Sequence, residues 1–303
     1  MVIREVPLSI VIAVRNAAEI VQCLEALCPQ ARSAGAEIIV ADASDDGTDA
    51  IIKMRFPDVQ LLHFFTPLNI PELRTKAIAV TYGRIIAVLD AFSIVSENWV
   101  SEVLRSHRER HHLVIGGAVE LDDAASQDLV NWTEYINEYG MFMLPRKSGE
   151  VDILPGSNIS YKREALFDRT GPKHRVFWKT FVNQELEAAG HKLWLDSSIV
   201  VRLRKAILFI EFFRTCYDHG CCFAGLRSQS FGIGRWIIYA VAFPLLPFIF
   251  LWRWGSKYWI KRCFRIKFVM TLPLQFLLFS SWSVGEFMGY LCGPGDSCNN
   301  LHY

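Results

Sequence analysis

Three polar clusters stand directly after apolar, β-branched runs. Arg15–Asn16 follows Ser9–Val14, Asp42–Thr48 follows Glu37–Ala41, and Asp90–Ser93 follows Arg84–Leu89. A carboxylate at the end of a buried strand can accept hydrogen bonds from a nucleobase N–H or a ribose hydroxyl, and Asp42 stands in that position. Ser44, Asp46 and Thr48 lie within the same turn. The plainer reading is a turn that opens a helix, because Asp46 and Thr48 are both good helix caps. Asp218-His219-Gly220-Cys221-Cys222 has the residue types of a metal site, but no second ligand pair at zinc spacing accompanies it. The eight cysteines form no CxxC pair, and reduced thiols are expected. Trp132, Tyr135 and Tyr139 recur at helical spacing, which reads as a core stripe before it reads as a sugar-stacking face.

The elements that must position these residues alternate. Ser9–Val14 reads as a strand, Ala17–Ala31 as a helix, Glu37–Ala41 as a strand and Ile51–Arg55 as a short helix. Val59–Phe64 reads as a strand, Glu72–Thr81 as a helix and Arg84–Leu89 as a strand. Strand–helix alternation implies βαβ units and a mostly parallel sheet, an α/β fold whose ligands gather at the carboxyl ends of the strands. Beyond it, Trp99–His107 and Phe181–Ala189 read as helices, with Gly190 closing the second. Val114–Leu121, Ser157–Tyr161, Lys192–Leu195 and Ile199–Leu203 read as strands.

The chain has 303 residues, is 51% apolar and carries a formal net charge of +1, so no global field argues for nucleic acid. The excess of apolar residues gathers late. Trp236–Trp252 and Phe268–Gly285 are uncharged runs of about 26 and 27 Å as helices, near the lower limit for crossing a bilayer. Pro244 and Pro247 predict a break or a re-entrant path in the first run. Arg253, Lys257, Lys261, Arg262, Arg265 and Lys267 lie between the runs and suit anionic headgroups on a cytosolic face. The expected division is a folded domain over residues 1–205, a basic amphipathic connector over 206–235, membrane-associated segments over 236–291 and a tail over 292–303. Near the amino end, Arg4 and Glu5 precede only the short run Leu8–Val14, which reads as a strand and not as a leader.

Four segments, in order, resemble glycosyltransferase family 2, the inverting group with a GT-A fold: PLSIVIAVRN, EIIVADASDDGTDAI, ELRTKAIAVTYGRIIAVLDAFS and LPGSNISYKREAL. The resemblance implies a GT-A-like nucleotide-sugar-binding domain followed by C-terminal membrane helices. It implies that Asp42, Ser44, Asp46 and Arg74 bind the nucleotide, and that Gly156 and Asn158 line the acceptor side. It also implies that Asp90 holds a divalent metal, Mg2+ or Mn2+.

Two departures stand out. The family's paired acids would fall at Asp90 and at the position of Phe92. An acidic pair whose second member deprotonates the acceptor would lie eleven to twelve residues before Gly190, where Trp178 and Lys179 stand instead. Lys179 is a candidate catalytic residue as a fixed cation on a diphosphate or an anionic acceptor. Glu185 would point to another face of its helix, and Glu120, Asp122, Glu134, Glu138 and Asp152 stay open as bases. The implied function is transfer of a sugar from a nucleotide-sugar to a lipid-linked or polysaccharide acceptor. The enzyme would be held at a membrane, with its N-terminal domain in the cytoplasm. The alternative is a catalytically inactive scaffold or regulator in a membrane polysaccharide assembly, and a membrane nucleotidyltransferase ranks below both.

Overall fold

The seven residues of β1 (Leu8–Val14) are all buried, which requires cover on both faces of the sheet. The computed structural model describes residues 6–66, 68–125, 128–205, 208–228, 238, 242–260 and 265–298. The chain divides into two units, one of residues 1–122 with 141–205 and one of residues 123–140 with 206–303.

The first unit is α/β. β1 pairs in parallel with β2 (Glu37–Asp42) on one side and with β4 (Ile85–Asp90) on the other, and β3 (Gln60–His63) adds to β2. Beyond β4 the sheet becomes mixed. β8 (Asn158–Lys162) runs antiparallel between β4 and β6 (Val114–Leu121), and β11 (Leu193–Leu203) runs parallel to β6. β5 (Ser93–Val95) and β7 (Gly149–Val151) pair antiparallel with β11. A small hairpin of β9 (Phe167–Asp168) and β10 (Gly171–Pro172) stands apart from this sheet.

The parallel strands need crossovers, and α1 (Ile20–Ala34), α2 (Thr48–Arg55) and α3 (Ile70–Ala79) supply them. Asn69 and Glu72 form a reciprocal cap at the start of α3, which fixes where the helix begins and therefore where Arg74 lies. α4 (Trp99–Glu109) packs against β11 and α1, α6 (Arg163–Leu166) follows β8, and α7 (Lys179–Ala188) follows the hairpin. Lys192–Leu195 and Ile199–Leu203, expected as two strands, belong to the single strand β11, whose register against β6 shifts between Asp196 and Val200.

The second unit is helical: α5 (Leu129–Glu138), α8 (Phe209–Ser228), α9 (Leu246–Ile260) and α10 (Arg265–Cys292). α8 and α10 approach closely because glycines face backbone. A Cβ on Gly220 would lie 2.2 Å from the Trp282 carbonyl oxygen, and one on Gly285 would lie 2.1 Å from that of Tyr217. Cys222 and Cys298 are joined by a disulfide across 76 residues, which corrects the expectation of reduced thiols for this pair. Trp132 and Tyr135 are buried in α5, as the aromatic spacing suggested.

Among the described residues one helix, α10, is long and apolar enough to cross a membrane, where two apolar runs had been expected to supply membrane helices. Residues 236, 237 and 239–241 of the first run lie outside the described residues, as do Lys261, Arg262 and Cys263. The remainder of that run forms a 3-10 turn over Phe243–Leu245 and the first part of α9, which at 15 residues is shorter than a span. Pro244 and Pro247 account for the break.

Candidate functional site

Asp42 and Asp90 end strands that flank β1 on its two sides, Asp42 level with Val14 and Asp90 level with Ala13. Two strand spacings separate them, roughly 10 Å across the carboxyl edge of the sheet.

Around Asp42 the chain builds a tight turn. The fully buried carboxylate accepts from Ser44 N–H at 3.1 Å and from His63 Nδ1 at 2.6 Å. Ser44 Oγ accepts from Asn16 N–H at 2.8 Å, and Asn16 Oδ1 accepts from Asp45 N–H at 3.0 Å. Asn16 has φ of 51°, a left-handed conformation that Asn tolerates better than most residues. The ends of β1 and β2 are thereby laced into one rigid edge. Asp46 Oδ1 accepts from Thr48 N–H at 3.0 Å and from Thr48 Oγ at 2.6 Å, so it fixes the start of α2. Ligand atoms of Asp42, Asp49 and His63 lie within 4.8 Å of one another, but His63 Nδ1 is engaged by Asp42 and Asp49 by Lys53 at 2.9 Å.

Asp90 sits among cations. Arg74 Nη2 donates to Asp90 Oδ1, and Lys179 Nζ lies 3.6 Å from the same oxygen. Burial opposes the charge on Asp90, yet Lys179 and Arg74 outweigh it and hold the carboxyl below its ordinary value. Burial pushes the Lys179 ammonium down to about 7, Arg74 adds to that push, and Asp90 opposes it. Arg74 Nε is buried with no hydrogen-bond partner.

Phe92, at the position of the missing acid, offers no ligand, and Lys205 Nζ lies 5.3 Å from its ring centroid. This donor set does not fit a divalent ion. One oxygen of the lone carboxylate is taken by two cations. A unit charge about 4 Å from a divalent ion repels it by roughly 8 kcal/mol at the effective dielectric typical near a protein surface.

Gly156 and Asn158 play different parts. A Cβ on Gly156 would sit 3.0 Å from Lys179 Nζ, so the bare backbone makes room for that ammonium. Asn158 is buried within the sheet. Its Nδ2 donates to the carbonyls of Ala118 and Ile199, both at 2.9 Å, and its Oδ1 accepts from Trp99 Nε1 at 3.0 Å. Gly117 leaves the space for this amide, since a Cβ there would lie 2.2 Å from Asn158 Nδ2.

The open candidates for a base are dispersed. Glu120 accepts from Leu144 N–H at 2.5 Å, Asp122 pairs with Arg204 at 2.7 Å, and the exposed Glu185 lies 3.6 Å from His174. Asp152 is exposed, and Glu134 and Glu138 lie on α5 of the other unit. A groove of about 990 Å3 among Pro7, Arg84, His107, Lys162 and Arg163 touches none of the expected site residues. The pairing of Lys179 with Asp90 was the feature sequence reasoning did not reach. Its signal was a lysine where an acid was expected, opposite an acid lacking its partner.

The family described as Glycosyl transferase family 2 matches residues 9–168. No curated protein matches the chain at a significant level. Among solved structures, the mannosyltransferase PcManGT from Pyrobaculum calidifontis, in complex with GDP-Man and Mn2+, is similar at 14% identity. That match covers 95% of this chain and 88% of PcManGT, with a TM-score of 0.56. S. aureus TarS 1-349 in complex with UDP-GlcNAc matches at 14% identity over 66% of this chain and 60% of its own, with a TM-score of 0.49. GalNAc-T7 with UDP, GalNAc and Mn2+ matches at 13% identity over 67% and 44%, with a TM-score of 0.49. The chain therefore spans less than two thirds of those last two, and likeness at such identity is one of fold.

Proposed function

The chain belongs to glycosyl transferase family 2, and from that premise we propose that it transfers a sugar from a nucleotide-sugar to a lipid-linked or polysaccharide acceptor at a membrane, with inversion at the anomeric carbon. The fold is α/β and GT-A-like, with a mixed sheet that is parallel where the site lies.

The observation that carries the reading is the laced edge at Asp42. The strand-end carboxylate is fully buried under Ser44 N–H and His63 Nδ1, so a nucleobase or ribose would reach it by taking the place of His63. Ser44 and Asp46 shape the turn around it, and Arg74 stands two strands away, where a nucleotide laid along the edge would bring its diphosphate. Gly156 borders that place. Transfer leaves negative charge on the diphosphate, and preorganised positive groups lower the barrier to its departure. The membrane part of the proposal is supported by α10 and by exposed apolar residues on the helical unit, among them Phe248, Trp252, Ile266 and Val269. A cytoplasmic catalytic unit would meet nucleotide-sugars where they are made.

Purified full-length protein, offered a panel of nucleotide-sugars with and without Mn2+, is expected to hydrolyse or transfer from at least one. Asp42→Asn keeps an acceptor for Ser44 N–H while removing the charge. It should weaken nucleoside diphosphate binding by about 1–3 kcal/mol, read by calorimetry. Absence of any nucleotide binding sinks the transferase reading. Nucleotide binding without transfer from any donor favours the scaffold.

A further inference from the structure

We propose that the charge departing with the nucleoside diphosphate is held by Lys179 together with Arg74, in place of a divalent cation. The proposal rests on the nucleotide-sugar reading above and deepens it.

Four observations converge on this point. Asp90 Oδ1 receives both Arg74 and Lys179, so with Lys179 protonated one carboxylate faces two cations and the cluster carries a net positive charge for an anion. Arg74 is 8% exposed, and its Nε has no acceptor. A phosphate oxygen is the acceptor chemistry a guanidinium's remaining donors match. Lys179 is the first residue of α7, where a cation opposes the helix dipole, so helix stability does not explain it. An anion at that spot would meet the ammonium and the helix N-terminus together. Finally, Gly156 lacks the Cβ that would press on Lys179 Nζ from 3.0 Å.

In the step itself, the bond between the anomeric carbon and the diphosphate oxygen breaks, and its electron pair leaves with the diphosphate. The acceptor oxygen bonds to the anomeric carbon, and its proton passes to water. Lys179 and Arg74 stabilise the leaving oxygens and take no part in the proton transfer.

The test is calorimetry on the full chain in detergent, with UDP and GDP as probes and uridine and guanosine as references, in EDTA and in Mn2+. Diphosphate affinity is expected to agree within about two-fold between the two conditions. Lys179→Met should weaken the diphosphate by about 10- to 100-fold, the scale of a lost charge-assisted bond, and leave the nucleoside within about two-fold. Lys179→Arg should restore most of the loss. Diphosphate binding that requires Mn2+, or that ignores Lys179→Met, overturns the inference while leaving the transferase reading intact. No binding of either diphosphate under any condition overturns both. The comparison of EDTA with Mn2+ uses the wild-type chain, so a misfolded variant does not blunt it.

Discussion

His107 shows how a titratable residue can serve architecture in this fold. It is buried on α4, with Nε2 2.8 Å from Ser160 Oγ. Ser160 donates its own proton to the Ile115 carbonyl, so the imidazole Nε2–H must be the donor to Ser160. Nδ1 is left bare and without a partner, and a proton added there would find no acceptor. Burial, helped by Lys162, pushes the His107 pKa down to about 3. The unfolded chain would titrate this ring near 6.5. A depressed folded value means the stabilising difference is full above 6.5 and drains away as pH falls towards 3. Unfolding across that window should take up about one proton, worth at most roughly 1.4 kcal/mol per pH unit. His107→Gln, which keeps a donor for Ser160, should flatten the acid limb of a denaturant-derived stability profile. An unchanged slope in the variant would remove His107 as its source.

At the scale of elements, legibility followed local pattern and failed where distant groups satisfied polar residues. β1, β2, β4 and β6 were readable because continuous apolar runs end in polar turns. β11 was not, because Asp196-Ser197-Ser198 looks like a turn. Asp196 accepts from Ser106 Oγ at 2.8 Å, Ser198 Oγ at 2.7 Å and Arg105 at 3.1 Å, and the strand passes through as a bulge. The short strands β5 and β7 exist only through their pairing with β11, so no window around them announces them. The candidate site was legible at Asp42 and Asp90, which the strand-end rule locates. The engagement of Lys179 with Asp90 was not, because the two stand 89 positions apart and meet only once the chain between them has folded. Asn158 carries a further lesson, since a polar residue expected on the acceptor side ties β8 to β6, β11 and α4. Asn158→Leu would strand the Trp99 N–H and two carbonyls. The expected loss is about 3 kcal/mol or more in chemical denaturation, at about 1–3 kcal/mol per orphaned group. A loss below about 1 kcal/mol would show that the amide is replaceable.

At the scale of the whole molecule, the helical unit carries the features that suit a membrane. α10 spans about 42 Å at the ordinary helical rise, more than a hydrocarbon core requires. Its polar residues Thr271, Gln275, Ser281 and Ser283 are buried, while Ile266, Val269, Met270 and Leu277 are exposed. That inversion of the usual water-soluble pattern suits lipid contact. The full-length protein should therefore stay with the membrane pellet through alkaline carbonate extraction, and release into the supernatant would count against insertion. The bond between Cys222 and Cys298 carries a cell-biological consequence. Such a link persists where glutathione does not reduce it, whereas the donors of sugar transfer are cytosolic. The oxidation state of this one pair, read by thiol alkylation in intact cells, is thus an address label: it reports which compartment the carboxyl-terminal tail inhabits.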